Sequence, residues 1–142
     1  MRPALAVTRS ESLKNVFAKM REEKKGYAVV LEDGTNGKIT GIITERDVMT
    51  RVIEQKLPAS TPVERVMTAN PATLRLADSV ADAIRLMNQG HYRHLPLSDE
   101  SGRLVGVLGV KDLVNYLAEH YPHEIFNLPP DPHQVIRTSE GA

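Results

Sequence analysis

Gly41-Ile42-Ile43-Thr44-Glu45-Arg46-Asp47 decides the reading of this chain. Aliphatic residues run up to Ile43 and stop at a hydroxyl and three charged residues, so a strand ends at Ile43 and a helix begins by Glu45. Thr44 and Asp47 then flank a helix start, where unpaired backbone N–H groups and the dipole favour negative charge. The same pattern returns as Gly106-Val107-Leu108-Gly109-Val110-Lys111-Asp112, which makes the stretch one half of a repeat.

The repeat extends outward in both directions. Upstream of the quoted stretch, Gly37-Lys38-Ile39-Thr40 is echoed by Gly102-Arg103-Leu104-Val105. Further back, Leu13, Val16, Phe17 and Met20 match Val80, Ala83, Ile84 and Met87. Both sets follow i, i+3, i+4, i+7 spacing and place four apolar side chains on one helical face. Ser10 and Asp78 lie at or near the positions where a side-chain oxygen can cap these helices. Strands are expected over Tyr27–Leu31 with Lys38–Ile43, and over His94–Leu97 with Arg103–Leu108; polar turns Glu32–Gly37 and Ser98–Gly102 join each pair.

Second helices follow over Glu45–Lys56 and Lys111–His120. Val48, Met49, Val52 and Ile53 form the expected buried face of one, and Leu113, Val114, Tyr116 and Leu117 that of the other. Their adjacent apolar pairs allow each helix to bury more than one face. Short apolar stretches Leu5–Val7 and Ala72–Leu76 add a small strand ahead of each first helix. The expected class is α/β in the α+β sense, with strand, helix, strand, strand, helix in each half. Residues 1–57 form the first repeat, 58–68 a linker and 69–120 the second repeat; Pro122 and the Pro-rich run to Pro132 make 121–142 an extended tail.

Composition narrows the function. With 18 Lys plus Arg against 18 Asp plus Glu in 142 residues, the chain lacks the cationic surplus of a protein that coats nucleic acid or an anionic membrane. The absence of Cys excludes disulfide scaffolds, thiolate metal sites and cysteine nucleophiles. Met1–Val7 has no signal-peptide apolar core and no window is long enough to span a bilayer, so a soluble, cytoplasmic protein is expected.

At the helix start, a carboxylate can accept hydrogen bonds from the vicinal hydroxyls of a ribose. Thr44 can bond sugar or phosphate, and Arg46 can neutralise phosphate charge. An ordinary N-cap with a first-turn acid explains the same residues without a ligand. His91 with His94, and His120 with His123, are three apart, but outside a regular helix that spacing does not converge two imidazoles, and Pro122 interrupts the second pair. No metal ligand and no catalytic residue is assigned.

The doubled order of elements, Val66-Met67-Thr68-Ala69-Asn70-Pro71, Arg93-His94-Leu95-Pro96 and the two Gly-apolar-apolar-x-x-x-Asp endings together resemble a tandem pair of cystathionine β-synthase (CBS) domains, the Bateman module. The resemblance covers roughly Leu5 to Glu119. It implies two βαββα repeats packed with pseudo-two-fold symmetry, adenosine nucleotides bound in clefts between the repeats, and regulation rather than catalysis. Thr44 and Asp47 match the family's ribose contacts, and Arg46 looks toward phosphate. Asn70, Pro71, Ala72 and Thr73 match the adenine-holding segment, and Arg93 and His94 match strand positions that reach phosphate. In the second repeat Lys111 and Asp112 keep the cation and the acid while Gly109 replaces the hydroxyl, so the Thr44–Asp47 site is expected to be the better one.

AMP, ADP or ATP is the expected regulatory ligand, with NAD and S-adenosylmethionine in the same class and no catalytic cofactor. The resemblance implies a homodimer; an unidentified regulated protein is the further partner, with no membrane and no nucleic acid. A metal-assisted nucleotide hydrolase using His91 and His94, and a nucleic-acid or protein interaction module, are the alternative classes. Stoichiometric metal with turnover would mark the first, and salt-sensitive nucleic-acid binding the second.

Overall fold

The computed structural model describes residues 4–33 and 37–120. The expected tail 121–142 and the tip of the first polar turn lie outside the described residues. In order along the chain come β1 (Ala6–Thr8), α1 (Leu13–Glu23), β2 (Tyr27–Leu31), β3 (Ile39–Thr44) and α2 (Glu45–Asp47), the last continuing as a π-helical segment, Val48–Ile53. A 3-10 turn, Val63–Arg65, leads to β4 (Thr68–Ala69), β5 (Leu74–Arg75), α3 (Val80–Gly90), β6 (His94–Ser98), β7 (Leu104–Gly109) and α4 (Val110–His120). The mixed α+β class follows, with four strands ordered β1-β2-β3-β4 in one sheet and three ordered β5-β6-β7 in the other.

The chain divides into two compact units that do not coincide with its halves. Among the described residues one comprises 4–33, 37–71 and 98–106, the other 72–97 and 107–120. In the first, β2 is central, and its Tyr27, Ala28, Val29 and Val30 are all buried. A strand flanked on both sides needs such a continuous apolar run. It pairs in parallel with β1 and antiparallel with β3, in a register that sets Tyr27 beside Thr44. Leu13 and Val16 of α1 are fully buried and Met20 nearly so. The 98–106 segment joins this unit through an antiparallel bridge between Lys38 and Arg103, with Leu104 N–H donating to the Gly37 carbonyl at 2.8 Å. Gly37 and Gly102 carry φ of 85° and 82°, a left-handed conformation open to Gly at little steric cost. In the second unit Leu74, Ala83, Ile84, Met87, Leu95 and Leu113 form one buried aliphatic cluster.

Three expectations are corrected. Ser12 caps α1 and Ser79 caps α3, in place of Ser10 and Asp78; Asp78 instead accepts from the Arg75 N–H. On α2 and its π-helical continuation only Val52 is buried, while Met49 and Ile53 are 66% and 65% exposed. On α4 Leu113 is buried but Val114 is 58% exposed. The expected strand around Ala72–Leu76 is confined to Leu74–Arg75, because Asn70, with φ of 49°, turns the chain just before it.

The α3 cap carries an acid-dependent part of stability. Asp82 accepts from the Ser79 N–H at 2.9 Å, the Ser79 hydroxyl accepts from the Asp82 N–H at 3.1 Å, and Arg85 lies 3.1 Å from the Asp82 carboxylate. The Ser79 N–H above all, with the Ser79 side chain and Arg85 adding, holds the Asp82 carboxyl below its ordinary 3.8. A depressed folded pKa means the contribution is complete above that ordinary value and is lost as pH falls through the folded one. Asp82→Asn should therefore flatten part of the fall in urea-unfolding free energy as pH drops below about 4. Equal acid slopes in the two proteins would refute the assignment.

Candidate functional site

Thr44 stands at the end of β3 because the strand's aliphatic run gives way there to a residue that caps better than it extends. Its hydroxyl and N–H both donate to one carboxylate oxygen of Asp47, at 3.1 and 3.0 Å, and the Asp47 N–H returns toward Thr44 Oγ1 at 3.4 Å. This is a reciprocal capping box. It satisfies Asp47 Oδ2 twice and leaves Oδ1 outside the box. The Asp47 side chain is only 13% exposed, so the carboxylate is partly desolvated and held in one orientation.

The second repeat builds the same corner with one part missing. Asp112 Oδ2 accepts from the Gly109 N–H at 2.7 Å, and no hydroxyl stands at position 109. A side chain begun at Gly109 would meet Asp112 Oδ2 and His94 Cδ2 at 3.5 Å each, ordinary van der Waals contact, so a Cβ fits there without displacing either neighbour. Both corners lean on the preceding strand in the same way: Glu45 N–H donates to the Gly26 carbonyl at 3.1 Å, and Val110 N–H to the Arg93 carbonyl at 3.0 Å. The structure thus gathers Arg93, His94, Gly109 and Asp112 in one unit, and Thr44 and Asp47 in the other.

Arg46 and Lys111 are exposed, each the second residue of its helix and beside the acid that follows. Asn70 is exposed and donates its N–H to the Thr40 carbonyl of β3 at 3.2 Å, with half-buried Pro71 after it. Ala72 and Thr73 begin the second unit and are half-buried; residues 70–73 do not form a strand. His91 ends α3 in a left-handed conformation, and no cluster of three metal-ligating side chains occurs among the described residues. Tyr92 lies over Gly90, where any added Cβ would strike its ring.

Sequence reasoning passed over Arg51. Its Nη1 donates to the Val66 and Met67 carbonyls at 3.1 and 3.0 Å, and its Nε lies 3.8 Å from Asp47 Oδ1. The available signal was a cation four residues after the acid on one helix. A separate open groove of about 440 Å³ is lined by Phe17, Met20, Arg21, Val48 and Met49 among others. Neither Thr44 nor Asp47 lines it, so its size does not make it the ligand site; it shares Met49 with the exposed apolar stripe of the helix.

The CBS domain profile matches the chain twice, over residues 1–54 and 63–119. The chain belongs to the CBS domain family. Its two CBS repeats are 36% identical over 107 residues to the CBS domain-containing protein CBSCBSPB5 of Arabidopsis thaliana, covering 75% of this chain and 19% of that protein. The chain therefore spans about a fifth of the length of such curated relatives. Among solved structures, the CBS domain protein PAE2072 from Pyrobaculum aerophilum, complexed with AMP, superposes with a TM-score of 0.75 at 25% identity, covering 84% of this chain and 94% of that one. The CBS-domain containing protein ATU1752 from Agrobacterium tumefaciens gives a TM-score of 0.70 at 28% identity, covering 80% and 84%. No helix among the described residues is long and apolar enough to cross a membrane.

Proposed function

We propose that this CBS pair is a regulatory sensor of adenosine nucleotides of the AMP, ADP and ATP class. The observation that carries the reading is the Asp47 carboxylate. It is fixed through Oδ2 by Thr44, while its Oδ1 faces Arg51 Nε only at 3.8 Å, beyond hydrogen-bond distance, and so keeps its capacity to accept from ribose hydroxyls. The AMP complex of the Pyrobaculum relative supports the ligand class. Arg46 turns toward the phosphates, and Asn70 and Pro71, in the same unit as Asp47, serve the base, which needs a flat apolar surface and a few fixed polar groups. Asp112, with Lys111, Arg93 and His94, supplies a second and weaker site for want of a hydroxyl at 109.

The protein acts by binding and not by turnover. A nucleotide shifts the population of conformations only as far as its affinities for them differ, and an unidentified partner protein in the cytoplasm reads the result. The working form is a homodimer. Repeat-equivalent Met49 and Val114 are both bare, which leaves the same helical position apolar in each repeat, and a neutral chain meets little self-repulsion.

Calorimetric titration with AMP, ADP, ATP, NAD and S-adenosylmethionine tests the reading. At least one adenosine nucleotide should bind with unequal sites. Binding of none, or turnover that depends on added metal, would overturn it.

A further inference from the structure

Arg51 closes a circuit of contacts within the first unit. From Thr44 the path runs through the capping box to Asp47, then along the helix to Arg51, whose Nε faces Asp47 Oδ1 at 3.8 Å. The guanidinium then spans the Val66 and Met67 carbonyls. These carbonyls belong to the cap of the 3-10 turn and the residue after it, where a cation is well placed. The next residues, Thr68 and Ala69, form β4 and pair with Ile42 and Gly41 of β3, the strand that ends at Thr44.

The helix is built for this reach. Its π register shows in the Glu54 N–H to Met49 carbonyl bond, and a π turn takes more residues than an α turn. Arg51 stands four residues after Asp47, a spacing at which side chains meet across one helical turn. The Thr50 hydroxyl takes up the Arg46 carbonyl at 2.9 Å in the same stretch.

We infer that Arg51 is a positioning residue that ties the Asp47 carboxylate to the 66–70 segment, so that the state of the carboxylate is felt where that segment leaves the first unit. Its meaning for ligand sensing rests on the reading of Asp47 as the ribose acceptor, but the tie itself is present without ligand. Arg51 meets both carbonyls through Nη1 and faces the carboxylate with Nε, two nitrogens of one rigid plane, where a Lys ammonium offers a single nitrogen.

A double-mutant cycle on the full chain, read by amide hydrogen exchange at Val66, Met67 and Asn70, tests the tie. Asp47→Asn and Arg51→Lys should each speed exchange there roughly threefold or more, and the double variant no further than either alone. The Val16 amide in α1 reports global loosening and should stay unchanged; Arg51→Gln replaces Arg51→Lys if that variant fails to fold. Additive effects, or no change at these amides on Asp47→Asn, would overturn the proposal. AMP titration separates the two readings: a wild-type protein that binds no nucleotide overturns the sensor function, while the cycle still decides the tie.

Discussion

Asp47→Ala should remove most of the rise in melting temperature that AMP gives, and Asp112→Ala should remove less. A ligand at a hundred times its Kd stabilises the folded state by about 2.7 kcal/mol. Losing a hydrogen bond to a charged group costs roughly 1.5–3 kcal/mol, which would leave a ligand contribution of only about 0.3–1.3 kcal/mol. The asymmetry has a structural cause. Asp47 is oriented by both the N–H and the hydroxyl of Thr44, while Asp112 is oriented by the Gly109 N–H alone. Because Asp47→Ala also dismantles a capping box, its ligand-free melting point falls as well, at a cost of about 1 kcal/mol. The comparison is therefore between ligand-induced shifts. Equal losses in the two variants would reject the asymmetry.

Met49→Asp with Ile53→Asp should convert a dimer of the 15.7 kDa chain to monomers in light scattering. These side chains are two-thirds exposed and four residues apart on one helix, beside the groove that Met49 also lines. In an isologous interface each substitution acts twice. Burial of a large apolar side chain is worth about 1.5–3 kcal/mol, so the paired change should weaken association by a factor of roughly 100 or more. A wild-type chain that runs as a monomer at tens of micromolar, or a double variant that stays dimeric, would reject this face as the interface.

The repeat and its element order could be read from sequence because aliphatic spacing at Leu13, Val16 and Met20 and the run Tyr27–Val30 answer to burial alone. Met49, Ile53 and Val114 misled for the same reason: periodicity locates an apolar face without saying what covers it. The caps were legible in principle, since Ser79 followed by Asp82 is a capping-box spacing, but Asp78 beside it offered a competing oxygen. Thr44 and Asp47 were legible as a pair, whereas their mutual bonding and the single oxygen left over needed coordinates. Arg51 was hidden because its partners are the backbone carbonyls of Val66 and Met67, and carbonyls carry no residue-type signal.

The chain passes from one unit to the other at 71/72, 97/98 and 106/107. A fragment cut at residues 58–68 would keep Gly37 and Lys38 but lose Arg103 and Leu104, the strand segment they bond. Its complement would keep Arg103 and Leu104 without Gly37 and Lys38. Although the two halves of the sequence look like copies of one module, the compact unit built around the first copy borrows a segment of the second, so the boundary of the repeat and the boundary of the packed unit are different places in the chain.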